Sequence, residues 1–111
     1  MTIPARGDLV WLNFNPQAGH EQAGRRPAIV LSDTDFNDLT GFAFVCPITK
    51  GSKDCAFEVP LPAGLVFTGV VLTDQLKSLD IKKRNIEIVG SVTVDSDFMR
   101  AVLLNVRSIL A

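Results

Sequence analysis

Between Asp8 and Phe14 the chain reads DLVWLNF, and between Pro27 and Ser32 it reads PAIVLS. The first stretch is rich in β-branched and aromatic residues and alternates, so that Val10, Leu12 and Phe14 share one face of an extended chain. The second is a continuous apolar run whose opening proline can spare its N–H at the start of a strand. Between them lies NPQAGHEQAGRR (Asn15 to Arg26), with Pro16, Gly19 and Gly24, which reads as a long loop. Working outward, Phe42 to Thr49 (FAFVCPIT), Ala56 to Val59, Gly69 to Thr73 and Asn85 to Val92 read as further short strands. The polar stretch Asp33 to Thr40 (DTDFNDLT) reads as a loop with a helical turn. Short strands broken by Gly- and Pro-rich connections imply a mainly β fold, a small and strongly bent barrel, over a doubly wound α/β sheet.

The period changes at the C-terminus. Val94-Asp95-Ser96-Asp97 supplies hydroxyl and acidic groups suited to a helix start. Phe98, Val102, Val106 and Ile109 then recur at helical spacing, with Met99, Leu103 and Leu110 widening the stripe. This predicts an amphipathic α-helix packed on the barrel. No repeat or low-complexity tract interrupts the chain, so residues 1–111 read as one domain.

Charge and composition narrow the chemistry. The 111 residues carry 11 Lys and Arg against 12 Asp and Glu, a formal net charge of −1, so any polyanion must meet a local patch. There is one His and no Tyr, which removes paired-imidazole catalysis within one chain. Two cysteines, Cys46 and Cys55, form no CxxC and are too few for a closed zinc site. They read as ordinary thiols of a cytoplasmic protein, bridged only if their Cα atoms approach within about 7 Å. The N-terminus has no apolar signal region, and no apolar run approaches the ~20 residues needed to span a bilayer.

Most of the basic residues lie between Arg25 and Arg84, mainly at strand ends, which predicts a basic rim on a nearly neutral protein. Three segments carry the functional groups. His20-Glu21-Gln22-Ala23-Gly24-Arg25-Arg26 gathers acid, base, amide and two guanidinium groups in front of an apolar strand. Pro47-Ile48-Thr49-Lys50-Gly51-Ser52 ends a strand with two hydroxyls, a cation and a glycine that lets backbone approach phosphate. Asp74-Gln75-Leu76-Lys77-Ser78 follows a third strand with amide and ionic groups that read base edges or close a turn. Such a set fits RNA phosphodiester cleavage, where the substrate's own 2′-OH is the nucleophile and neither metal nor cofactor is required. Guanidinium forks suit phosphate because they bind it bidentately and stay charged.

In these segments the chain resembles the MazF/PemK/Kid family of toxin endoribonucleases from bacterial toxin–antitoxin pairs. The resemblance runs through RGDLVWLNFNP (Arg6 to Pro16), GHEQAGRRPAIVLS (Gly19 to Ser32), PIT (Pro47 to Thr49), FEVPL (Phe57 to Leu61) and GVVLTDQLKSLD (Gly69 to Asp80), and ends in the amphipathic helix. It implies an SH3-like barrel of short antiparallel strands with a C-terminal α-helix, a homodimer, and metal-independent cutting of single-stranded RNA at short sequences. The products would be a 2′,3′-cyclic phosphate and a 5′-OH. It further implies catalysis by Arg26 and Thr49, with Glu21 as a second candidate for proton transfer, and RNA binding by Gln75, Lys77 and Ser78. Gln22, Arg25, Lys50 and Ser52 join the RNA-binding set. His20 reads as a loop or RNA contact, Phe14 and Phe67 as core, and Trp11 as packing or dimer interface. A cognate antitoxin with an acidic C-terminal tail is expected to cover the basic groove. The alternative on the same barrel is a CcdB-like gyrase poison, although nothing in Arg107 to Ala111 resembles the helix end on which that family depends.

Overall fold

The computed structural model describes residues 2–14, 24–52 and 55–111. Its order is β1 (Asp8–Asn13), β2 (Arg25–Val30), α1 (Thr34–Thr40), β3 (Phe42–Thr49), β4 (Glu58–Pro60), β5 (Val70–Leu72), a 3-10 turn (Thr73–Gln75), β6 (Lys77–Asp80), β7 (Glu87–Ser91) and α2 (Asp97–Leu110). All strand pairings are antiparallel, in the order β4-β5-β3-β2-β1-β7, with β6 also on β3. This is the expected mainly β architecture with a C-terminal helix. Among the described residues no strand pairing joins β4 to β7, so the sheet is not hydrogen-bonded into a closed ring.

The two deciding stretches lie side by side, Leu9 opposite Ile29 and Leu12 opposite Arg26. Their alternation sorts residues between two cores. Val10, Leu12 and Phe14 meet Ala28, Val30, Ala43, Val45, Leu79 and Ile81 on one side. Leu9, Ile29, Leu31, Cys46 and Ile48 meet Val59, Phe67, Val71 and the α2 residues Met99, Val102 and Val106 on the other. Ala28, Ile29 and Val30 are covered on both faces and so form an unbroken apolar run, whereas β1 is opened to the surface at Trp11.

β3 is shared between two sheets. Its first half, Phe42 to Val45, pairs with β6, and its end, Ile48 and Thr49, pairs with β5. The segment Lys77 to Asp80, read as part of a post-strand loop, is therefore a strand; with Leu79 as its single apolar residue it has too little pattern to declare itself. The polar stretch after β2 is likewise more regular than expected. Asp33 Oδ1 accepts from Phe36 N at 2.9 Å to cap α1, and Gly41, at φ 76°, closes it by donating to Asn37 O at 2.9 Å. Asn37 is fully buried, donating from Nδ2 to Pro4 O at 2.8 Å and Ser32 O at 3.1 Å while accepting from Ser32 Oγ. Helix α2 starts where expected, with Ser96 Oγ accepting from Met99 N at 3.2 Å, but Ile109 and Leu110 at its end are exposed.

Candidate active site

β2 begins at Arg25, two residues before the proline, because β1 pairs that far: Asn13 lies opposite Arg25 and Leu12 opposite Arg26. Both arginines are thus carried on a strand and not on the preceding loop. On the other side of β2, Ala28 lies opposite Pro47. The β2–β3 ladder ends at that pair, and Arg26 and Thr49 each lie two residues beyond it on their strands, Thr49 being the last residue of β3. Both line one cavity, so a guanidinium and a hydroxyl come to one place from residues 23 positions apart in the chain.

A cavity of about 640 Å³ opens there, lined by Arg25, Arg26, Thr49 and Lys50 together with an apolar set, Trp11, Pro27, Ile48 and Phe67. Trp11 is 36% exposed, and its ring meets that of buried Phe67 edge to face, centroids 5.3 Å apart at 86°. Cations beside a half-open indole make a surface for a ligand that is both anionic and flat. The ring contact with Phe67 is the packing expected of Trp11, and the exposed part of the indole lines the cavity as well. In register Trp11 lies opposite Pro27, the residue that follows the two arginines.

Backbone at this end of β3 is closely packed. Thr49 Oγ1 accepts from Gly51 N at 3.4 Å, leaving its own hydrogen to donate. Gly69, at φ +117°, passes so close that a Cβ there would lie 2.1 Å from Thr49 O. Only glycine permits this approach, and it fixes the position of Thr49.

The remaining site candidates are distributed around this centre. Arg25 crosses β1 to reach β7, donating from Nη1 to Asn85 O at 3.0 Å and meeting Glu87 Oε1 through Nη2 at 3.3 Å. Ser52 Oγ donates to Glu58 Oε1 at 2.7 Å, toward β4. Gln75 ends the 3-10 turn, and Lys77 and Ser78 belong to β6, opposite Val45 and Phe44. None of these four lines the cavity. Lys77 shares the face of Val45 and hence of Thr49 four residues on; burial, and then the charge of Arg84, hold its ammonium below the ordinary lysine range. Glu21, Gln22 and His20 lie outside the described residues. Away from the site, burial and then Asp74 push the Cys46 thiol up to about 12, whereas Cys55 is exposed and both are free.

The sequence profile of the PemK-like, MazF-like toxins of type II toxin–antitoxin systems matches residues 5–110. The chain belongs to the PemK/MazF toxin family. Among PemK/MazF relatives, the endoribonuclease toxin MazF of Escherichia coli K12 is 44% identical over 90 residues, 81% of this chain and 80% of its own. MazF of Deinococcus radiodurans, as a crystal structure, superimposes with a TM-score of 0.92 at 46% identity, covering 99% of this chain and 98% of its own. The MazE–MazF complex from the same organism gives 0.85 at 46% identity, over 99% and 97%. These matches support the PemK/MazF reading over the gyrase-poison alternative. Among the described residues no helix is long and apolar enough to cross a membrane.

Proposed function

We propose that this chain is an endoribonuclease toxin that cuts single-stranded messenger RNA in the cytoplasm, blocks translation and is neutralised by a cognate antitoxin. The observation that carries the reading is the cavity lined together by Arg26 of β2 and Thr49 of β3, beside Trp11 and two further cations. In the reaction the RNA 2′-oxygen attacks the adjacent phosphorus as it loses its proton to a base. The P–O5′ bond breaks, and the departing 5′-oxygen takes up a proton, leaving a 2′,3′-cyclic phosphate and a 5′-OH. A guanidinium is a fixed cation whose fork matches phosphate, so the part of Arg26 is to hold the charge growing on the phosphoryl oxygens. The Thr49 hydroxyl donates to the same phosphate. Glu21, in the segment leading into β2, is the candidate base. No step requires a metal.

Arg25 and Lys50 bind the neighbouring phosphates, and Trp11 stacks on a base. Gln75 at the end of the 3-10 turn, and Lys77 and Ser78 in β6, are further RNA contacts, with Gln22 and Ser52 in the connecting segments. The antitoxin of the Deinococcus radiodurans MazE–MazF complex supports a cognate partner here, one whose acidic C-terminal tail occupies the same cations. The functional unit is a homodimer of single-domain chains. Purified protein incubated with a long message in EDTA should produce discrete fragments bearing 5′-OH ends, and Arg26→Ala should abolish them. Intact RNA across varied sequences, or full activity in Arg26→Ala, overturns the proposal.

A further inference from the structure

A carboxylate beside a site for a polyanion weakens binding unless it has another task, and Glu87 is such a carboxylate. It lies opposite Trp11 in the β1–β7 register, and its Oε1 is 3.3 Å from Nη2 of the cavity-lining Arg25. The same guanidinium is anchored to Asn85 O at 3.0 Å. Asn85 is held by the turn before β7 and is the one described non-glycine residue at positive φ, 54°. Arg25 is therefore stretched across β1 with both contacts on the β7 side. The pair is open to water, with 36% and 62% of its side-chain surfaces exposed, and it is joined by a single contact instead of a bidentate fork. Such a pair is weak and readily exchanged.

We propose that Glu87 is an exchangeable counter-anion: it holds the Arg25 guanidinium at the cavity wall and surrenders it to an incoming RNA phosphate. The inference rests on the endoribonuclease reading of this cavity. An arginine already neutralised adds little to indiscriminate attraction of polyanions, because while the carboxylate holds it, it neutralises no phosphate and so frees none of the cations condensed on the nucleic acid. RNA gains this contact only when a phosphate is placed well enough to displace the carboxylate. Glu87 thus acts through Arg25, as a positioning residue that trades affinity for selectivity.

The probe is a short, fluorescein-labelled, mixed-sequence single-stranded DNA, which lacks the 2′-OH and is not cut, followed by anisotropy between about 50 and 200 mM salt. Glu87→Gln should bind about two- to fivefold more tightly. Its plot of log affinity against log salt should steepen by about 0.7, the contribution of one phosphate contact on a single strand. Arg25→Gln should bind more weakly than the parent, and adding Glu87→Gln to it should change neither affinity nor slope. Equal tightening with and without Arg25 would reduce Glu87 to a general repulsive charge and overturn the proposal, as would unchanged binding in Glu87→Gln. Cleavage of a long RNA by the unmodified protein is scored in parallel. Its failure sinks the endonuclease reading, whereas the DNA slopes judge Glu87 alone.

Discussion

Replacing Gly69 by alanine separates the demands of the site from those of the fold. The new Cβ would lie 2.1 Å from Thr49 O, 2.8 Å from Thr49 C and 2.9 Å from Lys50 Cα, all of it backbone that cannot swing aside as a side chain can. Real Cβ atoms essentially never approach within 3.0 Å, so the backbone at Gly69 and at the end of β3 must move apart. A retreat of about 1 Å at a catalytic group costs on the order of a hundredfold in rate. The residue also sits at φ +117°, which strains alanine by about 1–3 kcal/mol. At about 4 °C per kcal/mol for a chain of this size, that strain lowers the melting temperature by several degrees. Gly64 supplies the control: it lies at φ +89°, but a Cβ there meets nothing within 4 Å. Both variants should melt early, measured by circular dichroism. Only Gly69→Ala should lose RNA cleavage, measured well below its melting point as initial rate on a long message. If Gly69→Ala cuts at the rate of Gly64→Ala, Thr49 is not held by this contact, and its place in catalysis loses its structural basis.

Other outcomes follow from the packing and the charges. Trp11→Ala should weaken single-strand binding by about 1–3 kcal/mol in a fluorescence titration, while Trp11→Phe keeps most of the affinity; equal loss in both would argue against stacking. Asn37→Ala strands the Pro4 and Ser32 carbonyls in the interior and should cost about 2–3 kcal/mol in urea unfolding, with cleavage retained in the folded fraction. Cys46 makes stability fall at alkaline pH. Below its ordinary value of 9.0 the thiol is protonated in both states, whereas between there and about 12 only the unfolded chain releases the proton. Each pH unit in that window should remove on the order of 1 kcal/mol, and urea midpoints at about pH 8 and 10 should converge in Cys46→Ala. In the native state a thiol reagent at about pH 8 should label exposed Cys55 and spare Cys46.

Local pattern revealed the elements whose pattern is dictated by burial. The alternation of β1, the unbroken β2 and the α2 stripe are direct records of one or two covered faces. β6 was hidden and α1 showed only as a helical turn for the same reason: Lys77 to Asp80 and Thr34 to Thr40 bury few apolar side chains, so pairing with β3 and the Asp33 cap define them instead. At the site, Arg26 and Thr49 were marked by their strand ends, but that both line one cavity depends on the way β2 and β3 lie together in the sheet. The apolar lining contributed by Phe67, and the contact of Arg25 with Glu87, 62 residues away, are long-range facts that no local spacing encodes. DQLKS looked like one cluster, yet consecutive residues of an extended strand face opposite ways, so Lys77 and Ser78 divide between two faces.

Burial of β2 on both faces also bears on which changes the molecule can survive. Deleting Ala28 would shift every earlier residue of the strand by one, carrying Arg26 to the opposite face. Elsewhere in such a sheet a one-residue slip trades buried for solvated side chains. Here it trades one hydrophobic core for the other, and both reject the newcomer. β2 has no alternative alignment to fall into, so drift in substrate preference is channelled into the flanking segments while the arginine keeps its bearing.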